Sequence, residues 1–299
     1  MSVVVMQRPT AGQPARGRVR FLMSRLRRSP VGMVGIVILI AVLGVASAAP
    51  RLVPADPIKL RFDLRLAPPA WLPGGTWKHP LGTDELGRDV LSRVFYGSRI
   101  SVVVGFSAVC IATAIGVSTG LLAGYYGGVA DTVIGRLVDA FVSIPFIILA
   151  LATVGVLGPG LLNLIIVLGA VGWVSFNRVV RGETLALGAR EFVLAARALG
   201  QTNARILKRH LLPNVAPSVI VLATLEVAST ILAESALSFL GLGVQPPTVT
   251  WGGMLADGRQ YVATAWWLAT FPGLAITCTV LGIIFVGDWL RDVLDPRLR

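Results

Sequence analysis

An all-α polytopic membrane protein with six transmembrane helices is the fold class the sequence predicts, and three observations predict it. The 299 residues are 55% hydrophobic and only 14% charged, at a mean hydropathy of +0.76. A soluble domain of this length needs more surface charge. The charges are also clustered, which leaves uncharged runs long enough to cross about 30 Å of hydrocarbon as helix. Seven arginines (Arg8, Arg16, Arg18, Arg20, Arg25, Arg27 and Arg28) precede the first such run with no acidic residue among them. That is the flank expected on the cytoplasmic side of a first span.

The net charge of +12 and pI of about 11.1 would suit a nucleic-acid-binding protein. The gathering of arginines before an apolar run excludes that class, so the surroundings are a lipid membrane and no nucleic-acid partner is expected. Cys110 and Cys278 lie inside apolar runs, and His79 and His210 are far apart. Neither a disulfide framework nor a metal site is expected from them.

The elements follow in order. Residues 1–30 are a cytoplasmic basic tail. Residues 31–50 are uncharged and form the first transmembrane helix; Ala46-Ser47-Ala48 imitates a signal-peptidase site, but the apolar stretch exceeds the usual signal length. Residues 51–99 are polar, rich in Pro and Gly, and external. Val90, Leu91, Val94 and Phe95 share one helical face there, which predicts a short amphipathic helix on the membrane surface, capped by Thr83 or Asp84.

Residues 100–130 carry no charge and place Ala108, Ala112, Gly116, Gly120 and Gly124 at every fourth position. Such a stripe lets another helix backbone approach closely. Gly116-Val117-Ser118-Thr119-Gly120 also matches a hydrolase nucleophile elbow, but that motif needs a strand before it. Asp131 and Arg136 mark a short loop, and Asp139 is expected to pair with Arg136. Residues 141–177 are uncharged, enough for most of two spans, with Gly158-Pro159-Gly160 as the turn between them. A fifth span covers residues 215–241. Residues 242–267 form a polar loop in which Trp266 and Trp267 suit an interfacial belt. A sixth span and a short cytoplasmic tail, residues 291–299, close the chain.

Six spans place both termini in the cytoplasm of a multi-pass cell-membrane protein, together with a charged island at residues 181–214. In that island Glu191 opens a helix that Gly200 ends in the left-handed conformation. Thr202 caps a second helix, which stops before Pro213. Ala195, Ala196 and Ala198 give a shallow apolar face flanked by basic side chains, the shape of a helix that enters a groove on a soluble partner. In the fifth span Glu226, Thr230, Glu234 and Ser238 recur at intervals of four. A carboxylate at mid-bilayer costs roughly 2.5–3.5 kcal/mol, so it faces protein or water. Pore lining and interhelical hydrogen bonding both account for this stripe, with Glu234 leaning to the structural role.

Ala195-Ala196, Gly200, Ile206 and Leu212-Pro213-Asn214, in that order, resemble the EAA loop of ABC importer permeases. HPLGTDELGRDVLSRVFYGSRIS, LVDAFVSIP, ILAESALSFLGLG and GDWLRDVLDPRLR are similar to stretches of the second permease of the dipeptide, oligopeptide and nickel importers. The resemblance implies a type I importer permease fold. Its core is residues 100–290, with five transmembrane helices and cytoplasmic coupling helices. It implies ATPase coupling through Glu191, Leu194, Ala195, Ala196, Arg197, Gly200, Ile206, Leu212, Pro213 and Asn214. Leu194 stands where the family has a Glu, and a leucine accepts no hydrogen bond. The implied partners are a homologous second permease, two cytoplasmic ABC ATPases and an external substrate-binding protein. The implied cargo is a peptide, or else a haem or metal chelate.

Lys59, Lys78 and Lys208 are the only lysines, and none completes a phosphate-binding loop. The chain is therefore expected to be no enzyme and to bind no cofactor, with ATP and Mg used by partner subunits. A secondary transporter acting alone would leave the charged island unexplained. A membrane enzyme finds no support in two scattered histidines.

Overall fold

In a computed structural model, Leu26 and residues 29–294 are described. The seven N-terminal arginines and residues 295–299 of the C-terminal tail lie outside the described residues. Helix α1 spans Pro30–Leu52; Ser29 accepts a hydrogen bond from the Gly32 amide, and Pro30 sits in the first turn, where its missing N–H costs nothing. An irregular segment, residues 53–89, holds one 3₁₀ turn at Phe62–Leu64. Helix α2 then runs unbroken for 37 residues, Val90–Tyr126.

The amphipathic surface helix expected within residues 51–99 is thus the first turns of α2. Gly97 does not interrupt it, because the Trp251 ring packs where a Cβ would stand. Its cap is Asp89, which accepts from the Ser92 amide at 2.8 Å. Thr83 and Asp84 are engaged elsewhere: Thr83 Oγ1 accepts from the Ala67 amide, and Asp84 accepts from the Leu86 and Arg88 amides.

Helices α3 (Gly128–Ser143) and α4 (Phe146–Leu157) meet at 90° and together are long and apolar enough for one span. Asp131 and Arg136, expected in a loop, are helical. Asp139 forms no ion pair with Arg136 among the described residues. Instead Arg181 reaches from α5 (Leu161–Gly188) to Asp131 with two bonds of 2.5 and 2.6 Å. Next come α6 (Glu191–Ala198), α7 (Asn203–Ile206), a π-turn at Leu207–Leu211, α8 (Leu212–Phe239), α9 (Trp251–Gly258) and α10 (Trp267–Leu294). Among the described residues five helical stretches qualify as membrane spans, and the bent pair makes six.

Helix α2 packs along α5 through the small-residue stripe. Ala108, Ala112, Gly116, Gly120 and Gly124 are all buried. A Cβ on Gly116 would lie 2.5 Å from the Trp173 carbonyl oxygen, and one on Gly120 or Gly124 would lie 2.8 Å from that of Asn177 or Arg181. In α5, Gly169 returns the close approach against Ala108. Helix α1 lies on α10 in the same manner, with Gly35 against Gly282. Adding side-chain atoms at such a contact displaces backbone, at a cost of about 1–3 kcal/mol or more. Gly116→Leu is therefore expected to lower the detergent-solubilised melting temperature by several degrees. Gly135→Leu on α3, where nothing stands within 4 Å, is expected to leave it unchanged.

Candidate functional site

The charged island folds as a hairpin at one end of the bundle. Helix α6 ends in a Schellman turn: Gly200 takes φ +71, its amide bonds the Arg197 carbonyl, and the Gln201 amide reaches the Ala196 carbonyl at 3.1 Å. Thr202 occupies the cap position of α7, but its side chain makes no cap bond. The second helix does not stop before Pro213. The π-turn lets the Leu212 amide bond the Leu207 carbonyl, and this widened turn takes up the proline ring that would clash in a regular helix. Asn203–Phe239 is therefore one continuous span.

Five contacts make the hairpin rigid. Val193 and Ala196 from α6 bury against Ile206, Leu211 and Val215, over Leu121 of α2 and Val180 of α5. The Arg197 guanidinium lies 4.8 Å from the centre of the Tyr125 ring, and the Tyr125 hydroxyl donates to Asn203 Oδ1 at 2.8 Å. His210 Nε2 and Gln201 Oε1 are 2.9 Å apart. Asn214 Nδ2 donates to the His210 carbonyl at 2.5 Å.

The alanine face splits, because successive helical residues are 100° apart. Ala195 and Ala198 point outward, whereas Ala196 is core, as is Ile206. Glu191, Leu194, Ala195, Arg197, Gly200, Leu212, Pro213 and Asn214 are exposed. The outward surface has an apolar crest that the alanines had not suggested: Leu199, 81% exposed, and Phe192 lie about 20° apart around α6, while Leu194, 50% exposed, stands on the opposite flank. Arg190, Arg205, Lys208 and Arg209 rim it, and all are exposed.

The polar row of α8 turns gradually around the helix, by about 40° for each step of four residues. Glu234 is fully buried. It accepts from Ser238 at 2.8 Å and lies 3.5 Å from Ser101 Oγ on α2. Thr230 and Ser238 are buried as well, while Glu226 stays half-buried. Nearer the hairpin, Ser218 of α8 donates to Glu183 of α5.

At the opposite end an ion network, buried at Asp84 and Arg93 and exposed at Asp257, ties residues 53–89 to α9. Arg88 pairs with Asp84 at 2.6 Å and Glu85 at 3.0 Å; Arg93 pairs with Asp84 and Asp257, both at 3.3 Å. His79 Nδ1 stands 2.9 Å from Asp89 Oδ1. Trp267, expected in an interfacial belt, is buried here and donates to the Thr83 carbonyl. No local signal in the sequence announces pairing between residues so far apart.

Residues 116–299 match the family described as binding-protein-dependent transport system inner membrane component. Residues 20–69 match the N-terminal TM domain of oligopeptide transport permease C. The chain is 43% identical over 265 residues to the di/tripeptide transport system permease protein DppC of Pseudomonas aeruginosa, covering 89% of this chain and 88% of that protein. It is 41% identical over 275 residues to the dipeptide transport system permease protein DppC of Alkalihalophilus pseudofirmus, covering 92% and 88%. Its fold is similar to a chain of the inward-facing MetNI methionine ABC transporter, with a TM-score of 0.55 and 23% identity over 69% of this chain and 96% of that one.

The network around Arg88 carries a pH dependence. Burial raises the Glu85 carboxyl above its ordinary value, with the Asp84 charge adding to it. A raised carboxyl contributes stability that is complete below its unfolded value and is lost as pH climbs through the folded one. The melting temperature is expected to fall as pH rises above about 5, past the ordinary carboxylate range, and less steeply in Glu85→Gln. Parallel curves for the two proteins would remove Glu85 as the cause.

Proposed function

The chain belongs to the family of binding-protein-dependent transport system inner membrane components, and from that premise we propose that it is one of two homologous permeases in an ATP-driven peptide importer, with dipeptides as the leading cargo. The relatives named above carry dipeptides or di- and tripeptides by their names, which favours short peptides over haem or a metal chelate.

The hairpin carries this reading. It is rigid, it stands at one end of the bundle, and it offers an apolar crest within a basic rim. In the proposed orientation both termini and the hairpin face the cytoplasm, where two ABC ATPases dock on it. Residues 53–89 face outward, towards a substrate-binding protein. ATP and Mg act in the ATPases, and this chain takes up their motion. Leu194 makes its contact without the acidic anchor, leaving Glu191, one turn earlier, as the hairpin's nearest carboxylate. The half-buried Glu226 is assigned to the translocation path, between this chain and the second permease. Glu234 is assigned to holding α8 on α2.

Motion passes through the hairpin as a rigid body. At the ATPase end the Schellman turn sets its shape. A Cβ at Gly200 meets nothing within 4 Å, so a substitution acts through φ alone, at a cost of about 1–2 kcal/mol. A β-branched side chain is the least tolerant there. Gly200→Val is expected to reduce peptide-stimulated ATPase activity and transport about tenfold while the complex still assembles. Wild-type transport by that variant would remove the hairpin from the mechanism.

A further inference from the structure

The end of the molecule away from the hairpin carries an exposed ridge. Ile58, Leu60 and Phe62 alternate with Lys59 and Arg61, and all five are exposed. Phe62 is 66% exposed, and Trp77 of the same segment 81%. Among the exposed charged residues of 56–78, Lys59, Arg61, Arg65 and Lys78 outnumber Asp56 and Asp63. Three exposed apolar side chains within five residues of a polar segment mark a contact site.

The ridge is held in place. The Arg61 amide bonds the Leu86 carbonyl at 3.0 Å and the Leu66 amide bonds that of Asp84 at 3.0 Å. Gly87 lies so close to the Arg61 carbonyl that no Cβ fits between them. Residues 84–88 are fixed in turn by the Arg88, Arg93 and Asp257 ion pairs. The ridge is therefore braced against the end face of the bundle. A partner arriving along the bundle axis meets it preformed, without a cost for ordering a loop.

We propose that this ridge receives the external binding protein, and that the matching patch on that protein is apolar at its centre and acidic at its rim. The proposal rests on the importer reading above. The charge excess sets the sign of the partner, since basic side chains around an apolar strip steer an acidic surface. The ridge also lies in the residues matched to the N-terminal domain of oligopeptide transport permease C, and outside the 116–299 match to the wider family. A contact with a dedicated partner belongs in such a segment.

The experiment uses the whole complex, in nanodiscs of neutral phosphatidylcholine, with ATPase activity titrated by dipeptide-loaded binding protein. The Lys59→Glu/Arg61→Glu double variant is expected to need about tenfold more binding protein for half-stimulation, with basal ATPase activity unchanged. The difference shrinks in about 1 M salt, where the Debye length is near 3 Å. Equal half-stimulation by both complexes overturns the proposal. So does a difference that appears only when phosphatidylglycerol is added, which gives the ridge to lipid, or loss of the second permease from the variant, which gives it to the permease interface. Should the variant fail to assemble, Leu60→Cys bearing an environment-sensitive fluorophore decides: its emission shifts when binding protein is added, and an unchanged spectrum overturns the proposal. If binding protein does not stimulate the wild-type complex, the importer reading fails instead.

Discussion

The backbones of α2 and α5 lie against each other from Ala108 to Gly124, and the other features are hung from this close approach. In hydrocarbon there is little hydrophobic drive to join helices, so contact area between backbones and small side chains has to supply the attraction. Once the two helices touch, their ends are fixed. At one end Leu121 and Val180 form the floor on which the hairpin packs. At the other, Asp89 caps α2 beside the ion network.

Helix α8 joins the same two ends. It continues from the hairpin through the π-turn and reaches the buried Glu234 and Ser238 towards the opposite end. Two long helical stretches thus run from the hairpin to the opposite end of the bundle, α2 over Val90–Tyr126 and α7 through α8 over Asn203–Phe239. The bent pair α3–α4 is different. Val138 and Ala150 are its only buried residues, and the Asp131–Arg181 pair ties its first turn to α5.

Much of this was legible in the chain itself. Uncharged length reveals spans, a small residue at every fourth position reveals a close helix contact, and a glycine between two helical stretches reveals a left-handed turn such as that at Gly200. What escaped the sequence depends on partners far away. Pro213 signals a helix end unless a π-turn precedes it, and nothing local in Leu207–Leu211 encodes that turn. Trp267 has the composition of an interfacial residue, but the Thr83 carbonyl, 184 positions away, buries it. The pairing of Arg93 with Asp257 is equally silent, because neither residue has a charged neighbour that predicts the other.

Contact between the hairpin crest and an ATPase is the centre of the account. It can be read directly by placing a single cysteine at Leu199, with Cys110 and Cys278 replaced by serine. Bifunctional crosslinking in the reconstituted complex is expected to join position 199 to an ATPase subunit, in a yield that changes between nucleotide-free and ATP-bound states. Labelling of that cysteine in intact cells by a membrane-impermeant reagent, with no crosslink to an ATPase, would place the hairpin on the wrong side of the membrane and contradict the account.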